Sequence, residues 1–244
     1  MLLLYLSGSI ILYMKSTVIT LYHGSERKIE KPVFGEGKRN NDYGLGFYCT
    51  ENLALAKEWA VAPQRDGYVN KYLLDTEYLK ILNLDGPNYS VLNWIAVLLE
   101  HRIFSSQNPN FVKAKRYLIN NFSVNVNAFD LIIGYRADDS YFEYAEAFVN
   151  NAITVNQLSK AMQLGNLGKQ VVLKSQFAFS NLSFFGFEEA GWEQYYELRE
   201  KRNTEANKAY FSILQEDSDG LFIQDIIKGG ITNEDQRIPR NISK

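Results

Sequence analysis

Cysteine is almost absent. The one thiol, Cys49, excludes an internal disulfide and a cysteine-rich zinc site, and it suits a reducing compartment. Histidine is nearly as scarce, with only His23 and His101, so histidine-based metal or triad chemistry has few parts to use and no metal is expected. Neither charge prevails: 26 Lys and Arg against 28 Asp and Glu leave a formal charge of −2 and a pI near 5.8. No global basic field draws nucleic acid by counterion release, and nucleic acid is not a favoured partner. A long apolar run is missing too. The strongest, residues 1–14 (MLLLYLSGSIILYM), is interrupted by Ser7-Gly8-Ser9 and falls short of the roughly 20 residues of a spanning helix. It has neither the positive start nor the small-residue cleavage site of a signal peptide. A membrane is therefore not a favoured partner, and the expected location is the cytoplasm. The preferred reading takes Met14 as the native start and the prefix as an artefact; the alternative is a short tethering or partner-binding tail.

What is present is apolar and aromatic. Hydrophobic residues make up 46% of the chain and aromatic ones 14%, enough for a sizeable core in one elaborated domain or one domain with a helical appendage. The most informative stretch runs from Leu21 to Ala60. Val18–Tyr22 (VITLY) is β-branched and aromatic, which predicts a buried strand delivering His23 to its end. Gly24 lets its backbone approach a ligand carboxamide, and the Ser25 hydroxyl adds a polar contact. Tyr43-Gly44-Leu45-Gly46-Phe47-Tyr48 reads as a turn into a second strand that presents the Tyr48 ring. Trp59 lies on a predicted helix over about 51–62, sharing a face with Leu55 and Ala62. Two aromatic walls and a polar triplet suit a flat, amide-bearing ring such as nicotinamide.

Other nucleotide signatures fail. The GEGK segment ending at Lys38 lacks the upstream glycine and the following Ser or Thr of a P-loop. G-L-G-F-Y-C lacks the third glycine of a dinucleotide fingerprint and does not open a βαβ unit. Lys28, Lys31, Lys38 and Arg39 occupy the polar loop between these segments; they either steer a pyrophosphate or simply face water.

H-G-S on a first strand, G-x-G-F-Y about twenty residues on, and an aromatic eleven residues after that tyrosine resemble the nicotinamide-binding signature of the ADP-ribosyltransferase superfamily, in its histidine–tyrosine–glutamate branch. More closely, the chain resembles an uncharacterised bacterial family of that superfamily, sometimes encoded beside a small partner in toxin–antitoxin fashion. The shared segments are LYHGS, GFY, AKEWA, DLIIGYRADD and QVVLKS, so the likeness covers roughly residues 20 to 228. It implies an α+β fold, a split antiparallel β-sandwich with surrounding helices and NAD between the sheets. It also implies that His23 bonds the adenosine ribose, that Gly24 and Ser25 hold the nicotinamide amide, and that Tyr48 and Trp59 stack on the ring. NAD is then a substrate, and the other expected partners are a macromolecular acceptor and a small antitoxin-like protein.

One departure from the branch bears on chemistry. Where the branch places a glutamate at the start of a later strand, Lys169–Lys174 (KQVVLK) carries Gln170. An amide can hydrogen-bond a ribose but cannot offset the positive charge that develops as nicotinamide leaves. Asp138 and Asp139, at the end of the apolar run 129–134, are the candidates to supply that charge; the bland reading makes Asp139 or Ser140 a helix cap. His101, near the end of a predicted helix over 91–104 capped by Ser90, reads as structural.

The organisation expected along the chain is an apolar extension over 1–14, the ADP-ribosyltransferase-like domain over 15–187, a helical and strand appendage over 188–228, and a polar, disordered tail over 229–244. Two functions from different classes follow. One is an enzyme that cleaves the nicotinamide–ribose bond, as an ADP-ribosyltransferase or, with water as acceptor, an NAD glycohydrolase. The other is a degenerate module that binds NAD, ADP-ribose or a protein partner without turnover.

Overall fold

The computed structural model describes residues 3–6, 9–12, 17–106, 108–137, 139–164, 168–216 and 219–241. A short hairpin, β1 (Leu3–Leu6) and β2 (Ser9–Leu12), precedes β3 (Val18–Ser25), β4 (Phe47–Cys49), α1 (Leu53–Ala60), β5 (Gly67–Asp75) and β6 (Ile81–Asn83). Next come α2 (Val91–His101), α3 (Pro109–Phe122), β7 (Leu131–Tyr135), α4 (Asp139–Val149), α5 (Val155–Ala161) and β8 (Lys169–Leu173). The chain continues through α6 (Gln176–Ser180), β9 (Leu182–Ala190), α7 (Trp192–Gln215) and α8 (Ile223–Lys228). This is an α+β fold. Its two main sheets are ordered β3-β5-β9 and β4-β8-β7-β6. Pairing is antiparallel except between β6 and β7, which run parallel, so the sandwich is not purely antiparallel as expected. The reason is the α2–α3 excursion, which returns the chain to the sheet as a crossover would.

A backbone bridge ties the two sheets together. Tyr22 and Thr50 exchange backbone hydrogen bonds of 2.8 and 2.9 Å, an isolated antiparallel bridge between β3 and the residue after β4. Below it the sheets face each other over an apolar layer that includes Leu21, Phe47, Cys49, Tyr72, Leu131, Val171 and Leu173. The helices form a second, larger core. Every residue of α2 from Val91 to Leu99 is buried, as its nearly all-apolar circumference requires. The α2 start is fixed by Asn93, whose side chain accepts from the Ser90 backbone N–H at 2.8 Å.

Several boundaries differ from the sequence reading. β3 does not stop before the triplet: it pairs with β5 as far as Ser25 opposite Tyr68, so His23, Gly24 and Ser25 lie inside the strand. α1 is shorter than expected, because Asn52 caps it by accepting from Leu55 N–H and Ala62 is drawn into a bridge with Arg65. A break at residue 187 would cut β9, which pairs with β5 from Leu182 to Ala190. Nor is the stretch 229–241 a loose polar tail. Ile231 and Ile238 are buried in the helical core, and Asn241 donates from its backbone to Tyr89 and from its side chain to Leu84.

Candidate functional site

β3 and β4 diverge from the Tyr22–Thr50 bridge, and the gap between their ends opens as a cleft of about 890 Å3. His23, Gly24, Ser25, Tyr48, Trp59 and Gln170 all line it. Residues up to 147 positions apart are thus brought together, and the volume is that of an ordinary small-molecule site. Among the described residues no lining group comes from beyond Gln170. Neither Phe34 nor Arg39 is among the lining residues, and Phe34 packs edge-on against Phe179 at 5.6 Å between ring centroids.

The wall nearest the bridge is rigid. His23 Nδ1 lies 2.7 Å from the Tyr48 carbonyl oxygen, which can only accept, so Nδ1 carries the proton and Nε2 is left as the acceptor of a neutral ring. Burial lowers the imidazole pKa, with the Tyr48 carbonyl opposing it, so the neutral form prevails at pH 7. The ring stacks on Phe47 at 4.4 Å. Tyr48 is held by its hydroxyl, which donates to the Gly44 carbonyl at 2.5 Å and accepts from Tyr43 N–H at 3.1 Å. Burial pushes its phenol pKa well up, so the hydroxyl stays a donor and the ring is a fixed wall. Gly44 has φ +72°, and its missing Cβ leaves room for the His101 ring, 2.4 Å from where that atom would sit. His101 is structural here: its Nδ1 bonds the Val97 carbonyl of its own helix at 2.8 Å.

Two members of the triplet also serve the fold. A Cβ on Gly24 would lie 2.1 Å from the Ala56 carbonyl oxygen and 2.8 Å from Ala60 N. The glycine is therefore required for α1 to pack on β3, whatever the ligand. The Ser25 hydroxyl is already engaged: it donates to the Arg27 carbonyl and accepts from Asn70 Nδ2 at 3.2 Å. Asn70, opposite His23 on β5 and fully buried, also accepts from Ile29 N–H at 2.7 Å, so it ties the loop after β3 to the sheet. That loop carries Lys28, Lys31 and Lys38 to the cleft.

The opposite wall is charged and was not foreseen. Asp42, 4% exposed, accepts on Oδ2 from Ala137 N–H at 2.8 Å and from Gln170 Nε2 at 2.9 Å. Its Oδ1 is 3.3 Å from an Arg102 guanidinium nitrogen. Burial leaves the Asp42 pKa raised on balance, although the Ala137 N–H, Arg102, Gln170 and Arg136 each oppose it. Gln170 is also 4% exposed, and among the described residues its Oε1 has no hydrogen-bond partner. The Arg136 guanidinium lies 4.5 Å over the Trp59 ring, so that indole meets a cation as well as the cleft. Asp138 lies outside the described residues; Asp139 begins α4.

Charge follows from the lining. Arg27, Lys28, Lys31, Lys38, Arg102 and Arg136 face Glu30, Glu36 and Asp42, so a chain of net −2 carries a cationic cleft. Such a site suits an anionic ligand with a flat ring. Fold and cleft together define an α+β protein with a pocket between two split sheets. The chain belongs to the family described as protein of unknown function (DUF3990), whose pattern matches residues 19–184. No curated protein and no solved structure matches it. Among the described residues no helix is long and apolar enough to cross a membrane.

Proposed function

We propose that the cleft binds NAD and that the protein is an ADP-ribosyltransferase. The observation that carries this reading is the meeting of His23, Tyr48, Trp59 and Gln170 in one cationic cleft between two sheets. His23 Nε2 accepts from a ribose hydroxyl, Tyr48 stacks on the nicotinamide ring, and the loop lysines neutralise the pyrophosphate. The C1′–N bond then breaks, its electron pair leaves on the nicotinamide nitrogen, and C1′ becomes oxocarbenium-like. An acceptor oxygen or nitrogen bonds C1′ and releases its proton. A macromolecular acceptor gives ADP-ribosylation; water gives glycohydrolysis. Positioning supplies most of the rate, because the reacting groups are held before reaction begins.

Gln170 favours one further reading: an amide where charge is needed fits a module that binds NAD without turnover. The deciding experiment measures NAD binding by calorimetry and nicotinamide release, with and without cell extract, for the wild type, His23→Ala and Tyr48→Ala. Release that requires extract and His23 is the expected result. Equal release without extract makes the protein a glycohydrolase, and binding without release makes it a module. No binding at all removes NAD from the cleft.

A further inference from the structure

The amide of Gln170 is held in one orientation by its neighbour. Asp42 Oδ2 accepts from Gln170 Nε2 and from Ala137 N–H, and Oδ1 faces Arg102, so each of these partners favours an ionised carboxylate. An ionised carboxylate accepts and does not donate, which forces Nε2 toward Asp42 and turns Oε1 away from it. Gln170 lines the cleft, and among the described residues its buried Oε1 has no partner. A buried acceptor left open is costly unless a ligand donor meets it. The cleft therefore has an acceptor aimed at a hydroxyl or N–H, with a negative charge directly behind it.

We propose that Asp42 is the working carboxylate of this site: it orients Gln170 so that Oε1 takes a ribose hydroxyl, and it supplies through that amide the negative charge that the reacting ribose needs. This rests on the NAD reading above. Asp42 reaches the ligand through Gln170 and is a positioning residue, while Gln170 is the group in contact. Charge and contact, which a glutamate combines in one side chain, are divided here between two. The hydrogen bond joining them is polarised by the carboxylate, so Oε1 becomes a better acceptor as positive charge grows at C1′. Arg102 keeps Asp42 in place without crossing to the amide.

The test uses Asp42→Asn, Gln170→Glu and the double variant Asp42→Asn/Gln170→Glu in the full chain. Nicotinamide release is followed in single turnovers, NAD affinity by calorimetry, and folding by thermal melting. Asp42→Asn is expected to slow release at least tenfold with NAD affinity within about threefold of wild type. The double variant exchanges amide and carboxylate across the same hydrogen bond, and is expected to regain release to within about threefold of wild type. A merely structural Asp42 would not be rescued by a charge placed at residue 170. Gln170→Glu alone places two carboxylates in one hydrogen bond and is expected to gain nothing at neutral pH. The inference is overturned by wild-type release in a folded Asp42→Asn variant, by no rescue in the double variant, or by a tenfold gain in Gln170→Glu alone. A wild type that binds NAD but releases nothing also overturns it, leaving the binding reading intact; a wild type that does not bind NAD removes both.

Discussion

The two walls of the cleft are built by opposite means. The wall beside the sheet bridge comes from one stretch of chain, and its residues are held by neighbours in that stretch: His23 by the Tyr48 carbonyl and the Phe47 ring, Tyr48 by Gly44 and Tyr43. The facing wall draws Asp42, Arg102, Arg136 and Gln170 from four separate places in the fold, and its geometry rests on charged hydrogen bonds. The first wall shapes a slot for a ring; the second places charge around whatever enters. A local wall can be set by hydrogen bonds to its own turn, whereas an assembled one holds only if both sheets and the helical layer are in register. Changes in the first wall should therefore be felt as stability, and changes in the second as ligand chemistry.

Gly24→Ala should test that division most severely. Its new methyl would meet the Ala56 carbonyl oxygen, so α1 must shift off β3, and a loss of about 3 kcal/mol is expected in denaturant unfolding. A variant as stable as wild type, with NAD binding alone impaired, would make the glycine a ligand contact and erase the distinction.

A smaller effect belongs to the loop cations. Lys31→Ala with Lys38→Ala should weaken NAD binding roughly tenfold at low salt and far less at high salt, at almost unchanged stability, because exposed charges act through a screened field. Calorimetry at two ionic strengths measures this. Salt-independent affinity would mean that these lysines only face water.

The smallest effect should come from Lys174, which ties the end of β8 to the turn before β4. Its ammonium donates to the Tyr43 and Leu45 carbonyls at 2.6 and 2.7 Å, and burial pulls its pKa from 10.5 down to about 8. Between about 8 and 10.5 the unfolded chain holds more of this proton than the folded one, so the contribution of Lys174 to stability rises with pH across that window. Lys174→Met should flatten that rise, as read from melting temperatures at pH 7.5 and 9.5. An identical rise in both proteins would show that the turn does not sense this proton.

Much of the first wall was legible because its signals are local. A β-branched run announced β3, and His23, Gly24, Ser25, Tyr48 and Trp59 follow at spacings that a strand, a turn and a helix can be expected to fold onto one face. Even so, the packing of α1 against Gly24 and the bond from Asn70 to the Ser25 hydroxyl are not visible from within the stretch. The second wall was nearly illegible. Asp42 closes a run, Arg39-Asn40-Asn41-Asp42, that looks like any polar loop, and Arg102 and Arg136 stand beside element ends where charges usually meet water. Asp138 and Asp139 stand out as acidic candidates for Gln170 because they are adjacent in the sequence, whereas a single buried carboxylate such as Asp42 does not.

By itself, then, the sequence determined the mixed α+β character, the strand that carries His23, the turn that carries Tyr48, and an amide rather than a carboxylate at residue 170. Each of these depends on periodicity, on turn chemistry or on residue identity within a short window. Only the tertiary structure decided that Asp42 bonds Gln170, that a chain of net −2 gathers its cations around one cleft, and that the segment beyond Lys228 buries Ile231 and Ile238 instead of trailing in water. Those features join residues far apart in the chain through hydrogen bonds, fields and apolar contacts, interactions that depend on distance in space and leave no trace in sequence separation.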